Sequence, residues 1–133
     1  MVGILLVTHN RIGKALLESA TKILGNIPVP VKTLSVNYSP DMELLKASTT
    51  RLLNELDQGQ GVLILTDLYG ATPHNISCNI TNHNVCTVSG LNMSMLLRTL
   101  NYAQKPLDEL ATIAQQGGHA GIICNLKTLK QAC

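Results

Sequence analysis

Apolar residues along this chain gather in short runs that alternate with longer stretches of spaced apolar positions. The runs sit at Val2 to Val7, Val31 to Val36, Gly61 to Thr66 and Val85 to Val88, each of strand length. The third is apolar almost throughout, as a strand covered on both faces must be, and this predicts a central position. Between the runs, Ile12, Leu16, Ala20, Ile23 and Leu24 repeat at helical spacing, and Gly25 with Asn26 closes that helix. Ser39, Pro40 and Asp41 read as a helix start: a capping hydroxyl, Pro behind it, and an acid in the first turn. The helix they open carries Leu44, Leu45, Leu52, Leu53 and Leu56 and stops at Asp57 to Gly59. Thr72 and Pro73 open another helix in the same way. Leu91 to Tyr102 and Pro106 to Gln116 read as two more, the last ended by Gly117 and Gly118. Ile122 to Cys124 reads as a short terminal strand.

Strands alternating with helices predict a mostly parallel sheet with helices on both faces. Short right-handed connections then give a doubly wound α/β fold of strand order 2-1-3-4, with the terminal segment as a C-terminal edge strand. In that order the first and third strands are neighbours. The chain reverses its direction of travel between them, and ligands bind in the crevice at such a point, beyond the carboxyl ends of the strands.

With 133 residues, of which 45% are hydrophobic, the chain is expected to form one globular domain over 1–133. It has no Trp, no Phe and three Tyr, so the core is aliphatic. The same poverty in aromatics argues against modules that stack nucleobases, and a net charge of +2 without a basic run implies no polyanion partner. Cys78, Cys86, Cys124 and Cys133 show neither a redox pair nor zinc-finger spacing, and are read as small core or terminal residues. No secretory signal is visible, and no apolar run approaches the roughly 20 residues that cross a bilayer. A cytoplasmic protein with reduced thiols and no direct membrane insertion is expected.

The chemistry-bearing residues gather at two strand ends. His9 follows the first strand directly, and Asp67 follows the third. Side by side, the carboxylate would accept a proton from one imidazole nitrogen and fix the tautomer, leaving the other nitrogen's lone pair for attack. Gly70 and Ala71 are small enough for a backbone turn whose N–H groups face one way. Thr72 then caps a helix whose first N–H groups lack internal partners and suit an anion. Histidine, carboxylate and anion cradle together suggest phosphoryl transfer through a phosphohistidine, which needs mainly positioning and charge stabilisation. No Walker lysine motif is present, so direct use of a nucleoside triphosphate is not expected. Each part also has a structural alternative: His9 as a satisfied histidine, Asp67 as a loop cap, Gly70 to Pro73 as a helix start. His83 and His119 read as exposed loop residues.

These same residues carry a resemblance. The strand leading to Thr8 and His9, the run from Gly61 to Asp67 continuing into Gly70 to Asn75, the segment Gly90 to Leu96 and the late Leu107 to Leu110 helix resemble one known family. It is the IIA domain of the mannose-type (mannose, fructose, sorbose) branch of the bacterial phosphoenolpyruvate-dependent sugar phosphotransferase system. The most specific element is the string Asp, two residues, Gly, a small residue, Ser or Thr, Pro, one residue, Asn. The resemblance implies that His9 is phosphorylated, on Nε2, by the phosphorylated general carrier HPr, and that Asp67 holds Nδ1. It implies that Thr8, Gly70, Ala71 and Thr72 bind the phosphoryl group, the last through its hydroxyl. It further implies transfer to a IIB component or another acceptor, and a homodimer with a C-terminal strand exchanged or packed across the interface. No IIB domain is attached within 1–133.

The sequence departs from the family pattern at Asn10, in place of a usual Gly, and at Ala71, His74 and Ser94. Asn tolerates left-handed backbone angles, so the turn after His9 survives. His74 places a second imidazole near the site. With His9 and Asp67 it supplies the donor types of a two-histidine, one-carboxylate metal site. Nothing else supplies ligand spacing, so no metal and no cofactor is expected. Two roles follow for such a protein: a relay in sugar uptake, or a regulatory phosphocarrier acting on another target. The phosphocarrier subunit of dihydroxyacetone kinase shares the fold and the strand-end histidine, and a binding module with an inert His9 is the non-enzymatic alternative.

Overall fold

A computed structural model describes residues 1–68, 70–72, 75, 76 and 83–127. Four strands, β1 (Gly3–His9), β2 (Val31–Val36), β3 (Val62–Thr66) and β4 (Val85–Ser89), form one parallel sheet of order β2-β1-β3-β4. Helices α1 (Ile12–Leu24), α2 (Met42–Leu56), α3 (Met93–Asn101) and α4 (Leu107–Ala120) cover both faces. This is the doubly wound α/β arrangement and strand order that the sequence pattern predicts.

Strand alternation builds two cores, one on each face of the sheet. Ile4 and Leu6 of β1 and Leu63 and Leu65 of β3 pack with Ala20, Leu96, Leu110 and Ala114 of α1, α3 and α4. Leu5, Val7, Val62 and Ile64 pack the other way, with Leu52, Leu53 and Leu56 of α2. Each of these eight strand residues is 0% exposed, which explains the unbroken apolar runs. Burying each such side chain is worth about 1.5–3 kcal/mol, enough to make β1 and β3 the rigid centre. Parallel register sets His9 opposite Val36 and Val7 opposite Thr66, so β1 and β2 end level and β3 ends two residues earlier, just before Asp67.

Several element details differ from the sequence pattern. Residues 122–127 form no strand: Ile122 and Ile123 are 76% and 74% exposed and have no strand partner among the described residues. The expected C-terminal edge strand is therefore corrected to an unpaired extension. Gly117 and Gly118 do not end the last helix but lie inside α4, buried against α3. A Cβ on Gly117 would fall 2.7 Å from the Cβ of Arg98, so close helix packing replaced helix termination as the reason for glycine. The cap of α2 is Asp41, whose carboxylate accepts the N–H groups of Glu43 and Leu44, rather than Ser39. The buried stripe of α2 runs through Leu45, Thr49, Leu52, Leu53 and Leu56, leaving Leu44 in solvent. Ile12 and Ile23 of α1 are likewise exposed.

Candidate functional site

The site begins with two residues that the sheet delivers to the same place. β1 ends at His9, β3 hands over to Asp67, and their strands are hydrogen-bonded neighbours. His9 Nδ1 lies 3.0 Å from Asp67 Oδ2. The same oxygen accepts the backbone N–H of His9 at 3.1 Å. One carboxylate oxygen therefore grips both the main chain and the ring of the histidine. With the carboxylate on Nδ1, that nitrogen carries the proton and Nε2 keeps its lone pair. Nε2 makes no hydrogen bond among the described residues, and the side chain is 32% exposed. Asp67 Oδ1 is buried without a hydrogen-bond partner, so the carboxylate's bonding is concentrated on His9.

The turn after His9 takes the conformation that its sequence allows. Asn10 has φ 46°, the left-handed region, and no other non-glycine residue among those described does so. Its N–H donates to Val36 O at 2.8 Å, tying the turn to β2. Thr8 is 1% exposed, and its Oγ1 accepts the N–H of Gly13 at 2.7 Å. The structure thus places the Thr8 side chain on the α1 side of the sheet, engaged with Gly13.

Gly70, Ala71 and Thr72 follow Asp67 closely. Gly70 has φ +77°, a conformation costly for any other residue type, and open space around it. Asn75 N–H donates to Ala71 O at 3.0 Å, and Thr72 is already helical, so Ala71 occupies the capping position expected for Thr72. The N–H groups of Gly70, Ala71 and Thr72 have no hydrogen-bond partner among the described residues. Those of Ala71 and Thr72 are orphan donors that a helix start leaves open, and that of Gly70 lies in the turn before them. His74, Pro73, Cys78 and Cys133 lie outside the described residues, and with His74 goes the two-histidine metal arrangement. Among the described residues no group of three metal-ligating side chains occurs.

A second His–Asp pair puts the first in perspective. His83 Nδ1 also lies 3.0 Å from a carboxylate, Asp57 Oδ2, but its Nε2 meets Asn54 Oδ1 at 2.8 Å. Both nitrogens are engaged and the side chain is 17% exposed, so the ring joins the end of α2 to the approach of β4. It lies in a loop as expected, but it is not the exposed residue expected there. His119 is exposed as expected, but on α4. Asp57 is held below its ordinary value of 3.8 mainly by the His83 hydrogen bond, with help from the N–H groups of Gly59 and Gly61, against burial. Distance alone thus does not distinguish the two histidines; the unoccupied Nε2 does.

A family model described as the PTS system fructose IIA component matches residues 3–115. The chain belongs to this family. Its members are components of the phosphotransferase system (PTS), and this PTS IIA chain is of the mannose/sorbose type. It is 30% identical over 98 residues to the PTS system sorbose-specific EIIA component of Lacticaseibacillus casei, covering 71% of this chain and 68% of that one. It is 28% identical over 125 residues to the PTS system mannose-specific EIIAB component of Escherichia coli (strain K12), which is 91% of this chain but 38% of that protein. The chain therefore spans about two fifths of the length of that relative. The mannose/sorbose-specific IIA subunit of Enterococcus faecalis superposes with a TM-score of 0.83 at 25% identity, covering 97% of this chain and 98% of that one. None of the described helices is long and apolar enough to cross a membrane.

Proposed function

We propose that this PTS IIA component is a phosphocarrier whose acceptor atom is His9 Nε2. The observation that carries the reading is the 3.0 Å contact of His9 Nδ1 with Asp67 Oδ2 at the shared end of β1 and β3, with Nε2 unengaged. The Nε2 lone pair attacks the phosphorus of a phosphohistidine donor, the general carrier HPr. The P–N bond to the donor breaks, its electrons return to the donor imidazole, and the new P–N bond forms on His9. Asp67 holds the Nδ1 proton and stabilises the positive charge that grows on the ring. The free N–H groups of Gly70, Ala71 and Thr72 cradle the phosphoryl oxygens, as a helix start suits an anion. Transfer onward, to a IIB component, reverses these steps.

A protein donor rather than a small molecule is supported by exposed apolar residues near the site in sequence. Ile12, Tyr38 and Leu68 are 46%, 89% and 59% exposed; Ile12 follows His9 by three positions, Leu68 follows Asp67 directly, and Tyr38 lies two past Val36, the β2 residue opposite His9. Exposed large apolar groups of this kind suit a partner surface. The protein acts as a homodimer, supported by the exposed Ile122, Ile123 and Leu126 of the unpaired extension. By light scattering the full chain is expected as a dimer and the chain without residues 122–133 as a monomer; a monomeric full chain overturns the dimer, and a truncated chain that stays dimeric overturns the role of the extension.

Incubation with phosphoenolpyruvate, enzyme I and HPr tests the carrier reading. One acid-labile phosphoryl group is expected on the wild type and none on His9→Ala. A wild type that takes no label from its own host's HPr overturns it. A regulatory acceptor is the second reading. The transcriptional regulatory protein LevR of Bacillus subtilis is 29% identical to this chain over 106 residues, 76% of this chain and 11% of that protein.

A further inference from the structure

Thr8 is the residue next to the histidine whose hydroxyl is already engaged. Its side chain is buried, and Oγ1 accepts the N–H of Gly13 in the first turn of α1. Such an N–H has no partner within its own helix. Arg11, at the capping position of α1, supplies no side-chain hydrogen bond, so Thr8 does that work from the preceding strand. The fit is tight: a Cβ on Gly13 would lie 3.0 Å from Thr8 Oγ1, 3.1 Å from its methyl and 3.3 Å from Leu6 Cβ.

The bond closes a loop that contains His9, the left-handed Asn10, Arg11 and Ile12. Besides the His9 N–H bond to Asp67, two ties hold this loop: Thr8 Oγ1 to Gly13 at its base, and the Asn10 N–H to Val36 O at its flank. Consecutive strand side chains leave on opposite faces. Thr8 accordingly packs toward α1, while the ring of His9 meets Asp67.

We propose that Thr8 is a positioning residue: its buried hydroxyl closes the loop of residues 9–12 and so holds the His9 ring against Asp67, without touching the phosphoryl group. Its kinetic consequence rests on the reading of His9 as the phosphoryl acceptor; its effect on the ring does not. A misplacement of about 1 Å at a reacting group can cost roughly a hundredfold in rate.

Thr8→Val removes the acceptor at nearly constant volume, and Thr8→Ser keeps it. Two quantities are read on each, after a thermal melt has confirmed folding: the rate of His9 phosphorylation by phospho-HPr, and the tautomer of the His9 ring by nitrogen NMR of the unphosphorylated protein. Thr8→Val is expected to slow phosphorylation roughly ten- to a hundredfold, with the donor KM unchanged, and to turn a single Nδ1–H tautomer into a mixture. Thr8→Ser is expected to restore both. A Val variant that is slow with a wild-type tautomer overturns the proposal in favour of direct contact with the phosphoryl group. A wild-type rate, or a Ser variant as impaired as Val, overturns it as well. If the wild type takes no phosphoryl group, the carrier reading fails, and the tautomer comparison alone decides the role of Thr8.

Discussion

Asp67 Oδ2 binds His9 twice, accepting from Nδ1 at 3.0 Å and from the backbone N–H at 3.1 Å. A single oxygen thereby fixes where the strand ends and which way the ring faces. Asp67→Ala removes both bonds and frees the ring to rotate. Phosphorylation of His9 is expected to slow on the order of a hundredfold, while stability falls by about 1.5–3 kcal/mol for the lost hydrogen bonding to a charged group. Asp67→Asn keeps an acceptor but loses the charge, and charge-assisted bonds are about twice as strong as neutral ones, so its rate falls between. Rapid-quench phosphotransfer on the three proteins gives the order. An alanine variant as fast as wild type removes Asp67 from its orienting role.

The two adjacent glycines of α4 predict opposite outcomes from one substitution. Glycine inside a helix costs about 1 kcal/mol relative to alanine, so Ala is favoured wherever space allows. At Gly118 the new Cβ meets the terminal methyl of Met95 at 2.8 Å, the far end of a flexible side chain that can swing away. At Gly117 it meets Arg98 Cβ at 2.7 Å and Cγ at 2.9 Å, atoms fixed to the α3 backbone. Overpacking of that kind costs about 1–3 kcal/mol and exceeds the helix gain. Gly117→Ala is expected to lower the urea midpoint, and Gly118→Ala to leave it level or raise it. Equal shifts would show that α3 and α4 can part without cost.

Why the sequence revealed some of these features and not others is a matter of range. β1 and β3 are buried on both faces, so their apolar runs are unbroken and their central positions legible. That placement alone brings His9 and Asp67 together, and the neighbourhood of this pair could be read before any coordinates. Asn10 likewise keeps the left-handed turn its residue type permits. Thr8 was not legible as a helix brace, because its partner Gly13 is set by how α1 leans on the strand. Gly117 and Gly118 look like a stop signal, and only α3 shows them to be a contact. The extension after Gly121 has the apolar residues of a strand but no partner among the described residues. Propensity marks a candidate strand; pairing has to come from elsewhere.

Asp57 gives the fold a dependence on acid. Its carboxyl is held below 3.8 chiefly by the hydrogen bond from His83. A depressed folded value means that the ionised form is favoured by folding. Its contribution is fully present above the unfolded value and is lost as pH falls through the lowered folded value. Asp57→Asn removes that contribution. Urea unfolding is therefore expected to show the wild type more stable than the variant at neutral pH, with the gap closing as pH falls below 3.8. A gap that widens in acid contradicts the direction of the shift. Phosphotransfer should be untouched in either protein at neutral pH, because the pair joins α2 to the start of β4, away from the carboxyl ends of the strands.

Tyr38 separates partner docking from chemistry. A chain with three tyrosines and no other aromatic leaves this one 89% exposed, two residues past Val36, which pairs with His9. Aromatic residues dominate interface energetics, and truncating one at a contact centre costs about 2 kcal/mol or more. Tyr38→Ala is therefore expected to raise the KM for phospho-HPr by roughly tenfold or more, with kcat little changed, since no bond from Tyr38 reaches the imidazole. Phosphoramidate, a small donor that needs no docking surface, is expected to label His9 at the wild-type rate in the same variant. If both donors slow together, Tyr38 acts on the site itself. If neither changes, the partner approaches over another part of the rim, and Leu68, next to Asp67, is the residue to substitute.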